Sequence, residues 1–143
     1  MRASLFAPLD QNAVIVRITS YDHKRLKGVM ISPKLEKPAA FHSLSQLLLS
    51  MEALMDQSNQ PQRGEERRAF GEYRPPREEE DAGAGEGREL ASFQIRVLFR
   101  QNASWQGSLI WIDRQMEAQL RSVLELIRLM DSALSSAEEV GAP

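Results

Sequence analysis

Two stretches of the chain are runs of β-branched and aromatic residues, Val14-Ile15-Val16-Arg17-Ile18 and Phe93-Gln94-Ile95-Arg96-Val97-Leu98-Phe99. Side chains of this kind suit the pleated surface of a strand. A second short apolar run follows each, Gly28 to Ser32 and Gly107 to Ile112, across the polar tips Asp22-His23-Lys24 and Asn102-Ala103-Ser104. Each pair therefore predicts a hairpin. A turn at Asn102-Ala103 sets Phe93 opposite Ile112, Ile95 opposite Ile110 and Val97 opposite Ser108 on one face. The other face then carries Gln94, Arg96, Leu98 and Arg100 opposite Trp111, Leu109, Gly107 and Trp105. A slip of one residue would exchange the two faces.

The pattern changes to helical spacing after each hairpin. Ser43-x-x-Gln46 and Ser122-x-x-Glu125 are capping boxes, in which a serine oxygen and the following Gln or Glu satisfy free N–H groups at a helix start. Leu44, Leu47, Leu48, Met51, Leu54 and Met55 then fall on one helical stripe. Val123, Leu126, Ile127, Met130, Ala133 and Leu134 do the same later, so each helix is expected to pack on the inner face of a sheet. The segments around Phe41 and Leu120 have room for a third strand before each cap, although Pro38 opposes one in the first.

A shift of 79 positions superposes the two halves without a gap. Arg17 then falls on Arg96, Gly28 on Gly107, Ile31 on Ile110, Ala39 on Ala118, Ser43 on Ser122, Leu47 on Leu126 and Met51 on Met130. Conservative pairs such as Val16 with Ile95 and Glu52 with Asp131 lie around them. Apolar and polar positions agree throughout, as expected of a repeated structural unit. The fold expected is α+β, built from two tandem ββα (or βββα) repeats whose antiparallel sheet carries two helices on one side. A single unit is too small to be comfortable alone, so residues 12–56 and 91–136 are expected to pack as one pseudo-symmetric domain.

Between them, residues 57–90 change character. Five of the eight glycines lie here, with Pro75-Pro76, six arginines and the acidic run Glu78-Glu79-Glu80-Asp81. Only Phe70, Tyr73 and Leu90 could join a core, too few to offset the ordering entropy, so the segment reads as a charged disordered linker. Its charge is −3 and that of the remainder +1, against −2 for the whole chain. No overall positive field draws the protein to nucleic acid or acidic lipid.

Cysteine is absent, which excludes disulfides, thiolate catalysis and cysteine metal sites. Met1 to Pro8 lacks the pattern of a signal peptide, and no run is long enough to span a membrane. A soluble cytoplasmic protein with no membrane partner is expected. Catalytic groups are sparse: His23 and His42 have Asn102 and Arg121 as repeat partners, and Ser43 and Ser122 are helix caps. No phosphate loop, metal motif or carboxylate pair is evident, so neither enzyme activity, cofactor nor metal is expected.

What remains is the aromatic and basic face of the second hairpin: Arg96, Arg100, Trp105, Leu109 and Trp111. If exposed, Trp and Arg are the residue types that dominate interface hot spots, and Trp105 opposite Arg100 could form a cation–π pair. If buried against the other repeat, the tryptophans complete the core. Arg17 and Arg96 recur at the same place and are open to a structural role, such as pairing with Glu52 and Asp131. Arg96-x-x-x-Arg100 and Asn102-x-Ser104-x-x-Gly107 also resemble elements of PilZ-type cyclic-di-GMP receptors. In that family the first element lies in a flexible segment well before the second, whereas one residue separates them here, and the match is read as coincidental. Residues 93–134 further resemble short bacterial proteins of no assigned function, which implies no activity. The expectation is a non-catalytic binding or adaptor protein that presents a sheet face or edge to a protein partner or to itself. A nucleic-acid-binding regulator and a cyclic-dinucleotide sensor are the alternatives.

Overall fold

The computed structural model describes residues 12–66, 68–76 and 88–141. Strands β1 (Ala13–Ser20), β2 (Lys27–Ile31) and β3 (Ala39–Phe41) precede helix α1 (Leu44–Ser58). Strands β4 (Ala91–Phe99), β5 (Gln106–Trp111) and β6 (Met116–Leu120) precede helix α2 (Val123–Gly141). The strands form one antiparallel sheet of six, in the order β3-β2-β1-β4-β5-β6. At its centre β1 pairs with β4, Val14 opposite Ile95 and Val16 opposite Phe93. The fold is α+β, and each helix is preceded by three strands. Pro38 does not prevent β3 but shortens it. Pairing with β2 runs only from Gly28–Phe41 to Met30–Ala39, where the next residue has no N–H to offer. β6 meets no proline and pairs on to Met116 opposite Trp111.

Alternation along the strands decides what the helices cover. Val14, Val16 and Ile18 of β1 and Phe93, Ile95 and Val97 of β4 pack with Leu47, Met51, Leu54 and Met55 of α1 and with Leu126, Met130, Ala133 and Leu134 of α2. Both helices therefore lie on one face of the sheet, and each large side chain buried there contributes about 1.5–3 kcal/mol. On the opposite face Val29, Ala40, Ser92, Gln94 and Ile110 are buried too.

Ser43 Oγ accepts from the Gln46 N–H at 3.0 Å, and Ser122 Oγ from the Glu125 N–H at 3.2 Å. The returning side chains reach one residue further back than a capping box requires: Gln46 Oε1 accepts from the His42 N–H and Glu125 Oε1 from the Arg121 N–H, both at 2.8 Å.

The register of the second hairpin differs from the expectation, for a local reason. Next to the turn Phe99 lies opposite Gln106, as the turn position requires. Beyond it β4 carries one extra residue, Leu98, so Val97 faces Gly107, Ile95 faces Leu109 and Phe93 faces Trp111. Such a β-bulge shifts everything past it by one residue and exchanges the faces of the partner strand. β1 has the same irregularity between Ile18 and Ser20. At the tips, His23 and Lys24 in one hairpin and Asn102 and Ala103 in the other all have φ between 54° and 62°.

Each hairpin also braces the helix of the other half. Tyr21 Oη donates to Asp131 Oδ1 at 2.7 Å, and Lys24 Nζ donates to the same oxygen at 2.6 Å. Burial, helped by the bond to Asp131, pushes the Tyr21 phenol up to about 12, while the bonds from Lys24 and Tyr21 hold the Asp131 carboxyl below its ordinary value. A carboxylate depressed in the folded state contributes stability above its unfolded pKa and loses it as pH falls through the folded value. A phenol raised in the folded state contributes below about 10 and loses that as pH rises through about 12. The gap in urea midpoint between the wild type and Asp131→Asn is therefore expected to be widest near neutral pH. It should narrow below about pH 4 and above about pH 10; a gap constant with pH would contradict the brace.

Candidate functional site

The five side chains singled out in the sequence do not form one exposed face. Arg96 lies on the side away from the helices, opposite Ala13 and Ser108. Leu109 is buried beneath the helices, and Trp111 packs against the same core, its ring 6.5 Å from that of Phe93. The bulge at Leu98 causes the separation, because it turns Leu109 and Trp111 to the face opposite Arg96. Arg17 and Arg96 are turned away from the helices as well, so Glu52 and Asp131 find other partners. Arg17 Nε lies 3.8 Å from Glu89.

Trp105 and Arg100 are both buried, each 3% exposed. They meet through a carboxylate rather than by stacking: Trp105 Nε1 donates to Glu52 Oε2 at 3.0 Å, and Arg100 Nη1 lies 3.4 Å from the same oxygen. Arg100 Nη1 also donates to Asp56 Oδ1 at 2.8 Å, and its Nε donates to the Pro61 carbonyl at 2.7 Å. The backbone completes the arrangement, with the Gly64 N–H donating to the Arg100 carbonyl at 2.8 Å. Arg63 Nε adds a 3.3 Å contact to Asp56. The guanidinium stacked on an indole is instead Arg114, 5.3 Å from the Trp111 ring centre.

Arg100 thus clasps the end of α1 and the chain that leaves it to the tip of β4. The free linker expected from residue 57 does not include this stretch: α1 runs to Ser58, and Pro61 to Gly64 are held against Arg100. Residues 77–87 of that expected linker lie outside the described residues. A cleft of about 390 Å³ opens beside the clasp, walled by Leu48 and Leu49 of α1, Arg63 and Arg68 of the connecting segment, Trp105, and Val123 of α2. Burial, then the nearby Arg100 charge, lowers the pKa of Lys34.

The residues that resemble the cyclic-di-GMP elements have local work to do. Asn102 and Ala103 make the left-handed turn, and Ser104 Oγ accepts from the Val123 N–H at 2.8 Å. Gly107 lies against the Arg96 carbonyl, where an added Cβ would come within 1.9 Å of the oxygen. His23 is exposed at its hairpin tip, 3.3 Å from the equally exposed Asp22, and His42 is exposed before the α1 cap. Among the described residues no group of three or more His, Asp or Glu is placed to hold a metal ion, and no helix is long and apolar enough to cross a membrane.

The two edges of the sheet differ more than the hairpins do. β3 is three residues long and wholly buried. β6 is five residues long and exposed except at Ala118 and Leu120, with Met116 60% exposed. Since β6 pairs only with β5, every second backbone group along its outer side lacks a strand partner. Beside it runs a groove of about 510 Å³ between β6 and α2, lined by Ala118, Gln119, Arg121, Glu125, Arg128 and Leu129. The sequence allowed a strand around Leu120 but marked none of these residues as a site, because Met116-Glu117-Ala118-Gln119-Leu120 has little β-branched character. The available signal was Leu120, which aligns with Phe41 at a spacing of 79 residues. No protein-family model, curated protein or solved structure matches this chain.

Proposed function

We propose that the protein is a non-catalytic binding or adaptor module, and that its β6 edge receives a strand from a protein partner. The observation that supports this reading is the exposed edge at one end of a sheet whose other edge is buried. Strand addition satisfies idle backbone groups and draws affinity from the main chain, with specificity supplied by alternate side chains. The sheet face is the poorer platform, because residues on both sides of the central strands are buried. Phosphate binding has less support: Arg100 is engaged by Glu52 and Asp56, and Arg121 by Glu125. We further infer that the two halves are copies of one strand-strand-strand-helix unit. The matched bulges, tip conformations, glycines and helix caps all recur at a spacing of 79 residues.

Proline scanning tests the edge. Adjacent residues of a strand point their N–H groups to opposite sides, so one of Ala118→Pro and Gln119→Pro removes a bond to β5 and the other removes an edge donor. The edge variant should melt near the wild type and lose the partner captured by the wild-type protein. Undiminished capture by that folded variant would end the proposal.

A further inference from the structure

We infer that the occupant of the β6–α2 groove is an extended peptide segment carrying an acidic side chain that Arg128 holds; this rests on the β6 edge being the binding element. Charge in the groove favours an acid. Within the groove Arg121 is committed to Glu125, its Nε donating to Glu125 Oε2 at 2.8 Å, and this pair cancels. Arg128 makes no hydrogen bond or contact-distance ion pair among the described residues, and its charge acts only through space on Glu125, which Arg121 already neutralises. With two arginines and one glutamate, the lining carries a net positive charge. Glu117, the acid of β6, alternates to the other face of the sheet, in one row with Ile110.

The other end of the sheet shows how such a place is closed. Ala39, Ala40 and Ser50 precede Ala118, Gln119 and Leu129 by 79 positions, and they line the corresponding place between β3 and α1. There the chain supplies its own cover: Pro76 forms part of the wall, and only about 40 Å³ remains open. The lining is apolar along Met30, Leu35, Phe41, Leu47 and Leu54, and it meets a proline. At β6 the equivalent place is open and bordered by charge, which selects a charged segment rather than a proline. A carboxylate on the added strand would lie toward α2, where Arg128 is, while the backbone pairs with β6.

The test uses the isotopically labelled full chain and a blocked seven-residue peptide of alternating threonine and valine with a central glutamate. Controls are the same peptide with a central lysine, and a version N-methylated at alternate residues. The glutamate peptide should shift the amide resonances of 116–120 and bind about five-fold more tightly than the lysine peptide, the scale of one exposed ion pair. Arg128→Glu should reverse that preference without changing the melting temperature. If both peptides perturb β6 equally and Arg128→Glu changes nothing, the acidic specificity is wrong while the edge reading survives. If no peptide perturbs β6, or if N-methylation has no effect on binding, both fall. Concentration-dependent broadening confined to 116–120, with dimer in sedimentation, would make a second copy the occupant and overturn the peptide assignment.

Discussion

Gly107→Ala is expected to destabilise the protein by about 2–4 kcal/mol, and Gly28→Ala by a similar amount, in urea unfolding at neutral pH. A Cβ built on Gly107 would stand 1.9 Å from the Arg96 oxygen, 2.9 Å from its carbonyl carbon and 3.0 Å from the Val97 Cα. On Gly28 the distances are 1.9 Å to the Arg17 oxygen, 2.9 Å to its carbonyl carbon and 3.1 Å to the Ile18 Cα. Even close carbon–oxygen contacts across a sheet are about 3.3 Å, so the paired strands would have to separate by over an ångström. All the obstructing atoms are backbone, and no rotamer change can move them aside. These sites are where the extra residues of β1 and β4 draw the neighbouring strand close. The strands β2 and β5 are separated by β1 and β4, about 14 Å at 4.8 Å per strand, so the two losses should add. Gly71→Ala is the control: nothing lies within 4 Å of its added Cβ, and the change should stay within about 0.5 kcal/mol. A Gly107→Ala protein as stable as that control would show that the strand contact is not rigid.

The same two glycines mark how far the sequence could be read. Their coincidence at a spacing of 79 residues was visible, as were both capping serines and both hairpin tips, because each depends on neighbours within a few residues. The bulge was not visible. Nothing in Val97-Leu98-Phe99 distinguishes a paired Leu98 from an extra one, and the register is correct on the turn side of it and shifted on the other. That shift is why the aromatic and basic face dissolved into a core and a clasp. The partner of Trp105 was beyond local reasoning too, since Glu52 lies 53 positions earlier on a helix. The open edge was least legible of all, because exposure of β6 is a property of strand order rather than of its residues.

Burial and three engaged partners explain why Arg100 should be costly to remove. Arg100→Met is expected to lose about 2–4 kcal/mol. The lower bound reflects Glu52 and Asp56, whose side chains keep 28% and 19% exposure and can be rehydrated; the upper reflects a guanidinium whose side chain is 2% exposed. Removal also orphans the Pro61 carbonyl and leaves the connecting segment tied to the β4 tip only by the Gly64–Arg100 backbone bond. Arg100→Lys keeps the charge, but one ammonium on a different stem cannot reproduce the fork that joins Pro61, Asp56 and Glu52, so its stability should fall between the two. Glu52→Gln leaves Arg100 with Asp56 and Trp105 with an amide oxygen, a loss of about 1 kcal/mol. Combining Arg100→Met with Glu52→Gln should cost less than the sum, because the second change removes a charge that the first left unpaired. Trypsin cleavage after Arg63 supplies a second readout that stability alone does not fix. At equal denaturant-free stability margins, cleavage should quicken in Arg100→Met and Arg100→Lys but not in Glu52→Gln, since only the arginine holds the Pro61 carbonyl. Unchanged cleavage in Arg100→Met would mean that the Gly64–Arg100 backbone bond and the Arg63–Asp56 contact suffice to hold the segment.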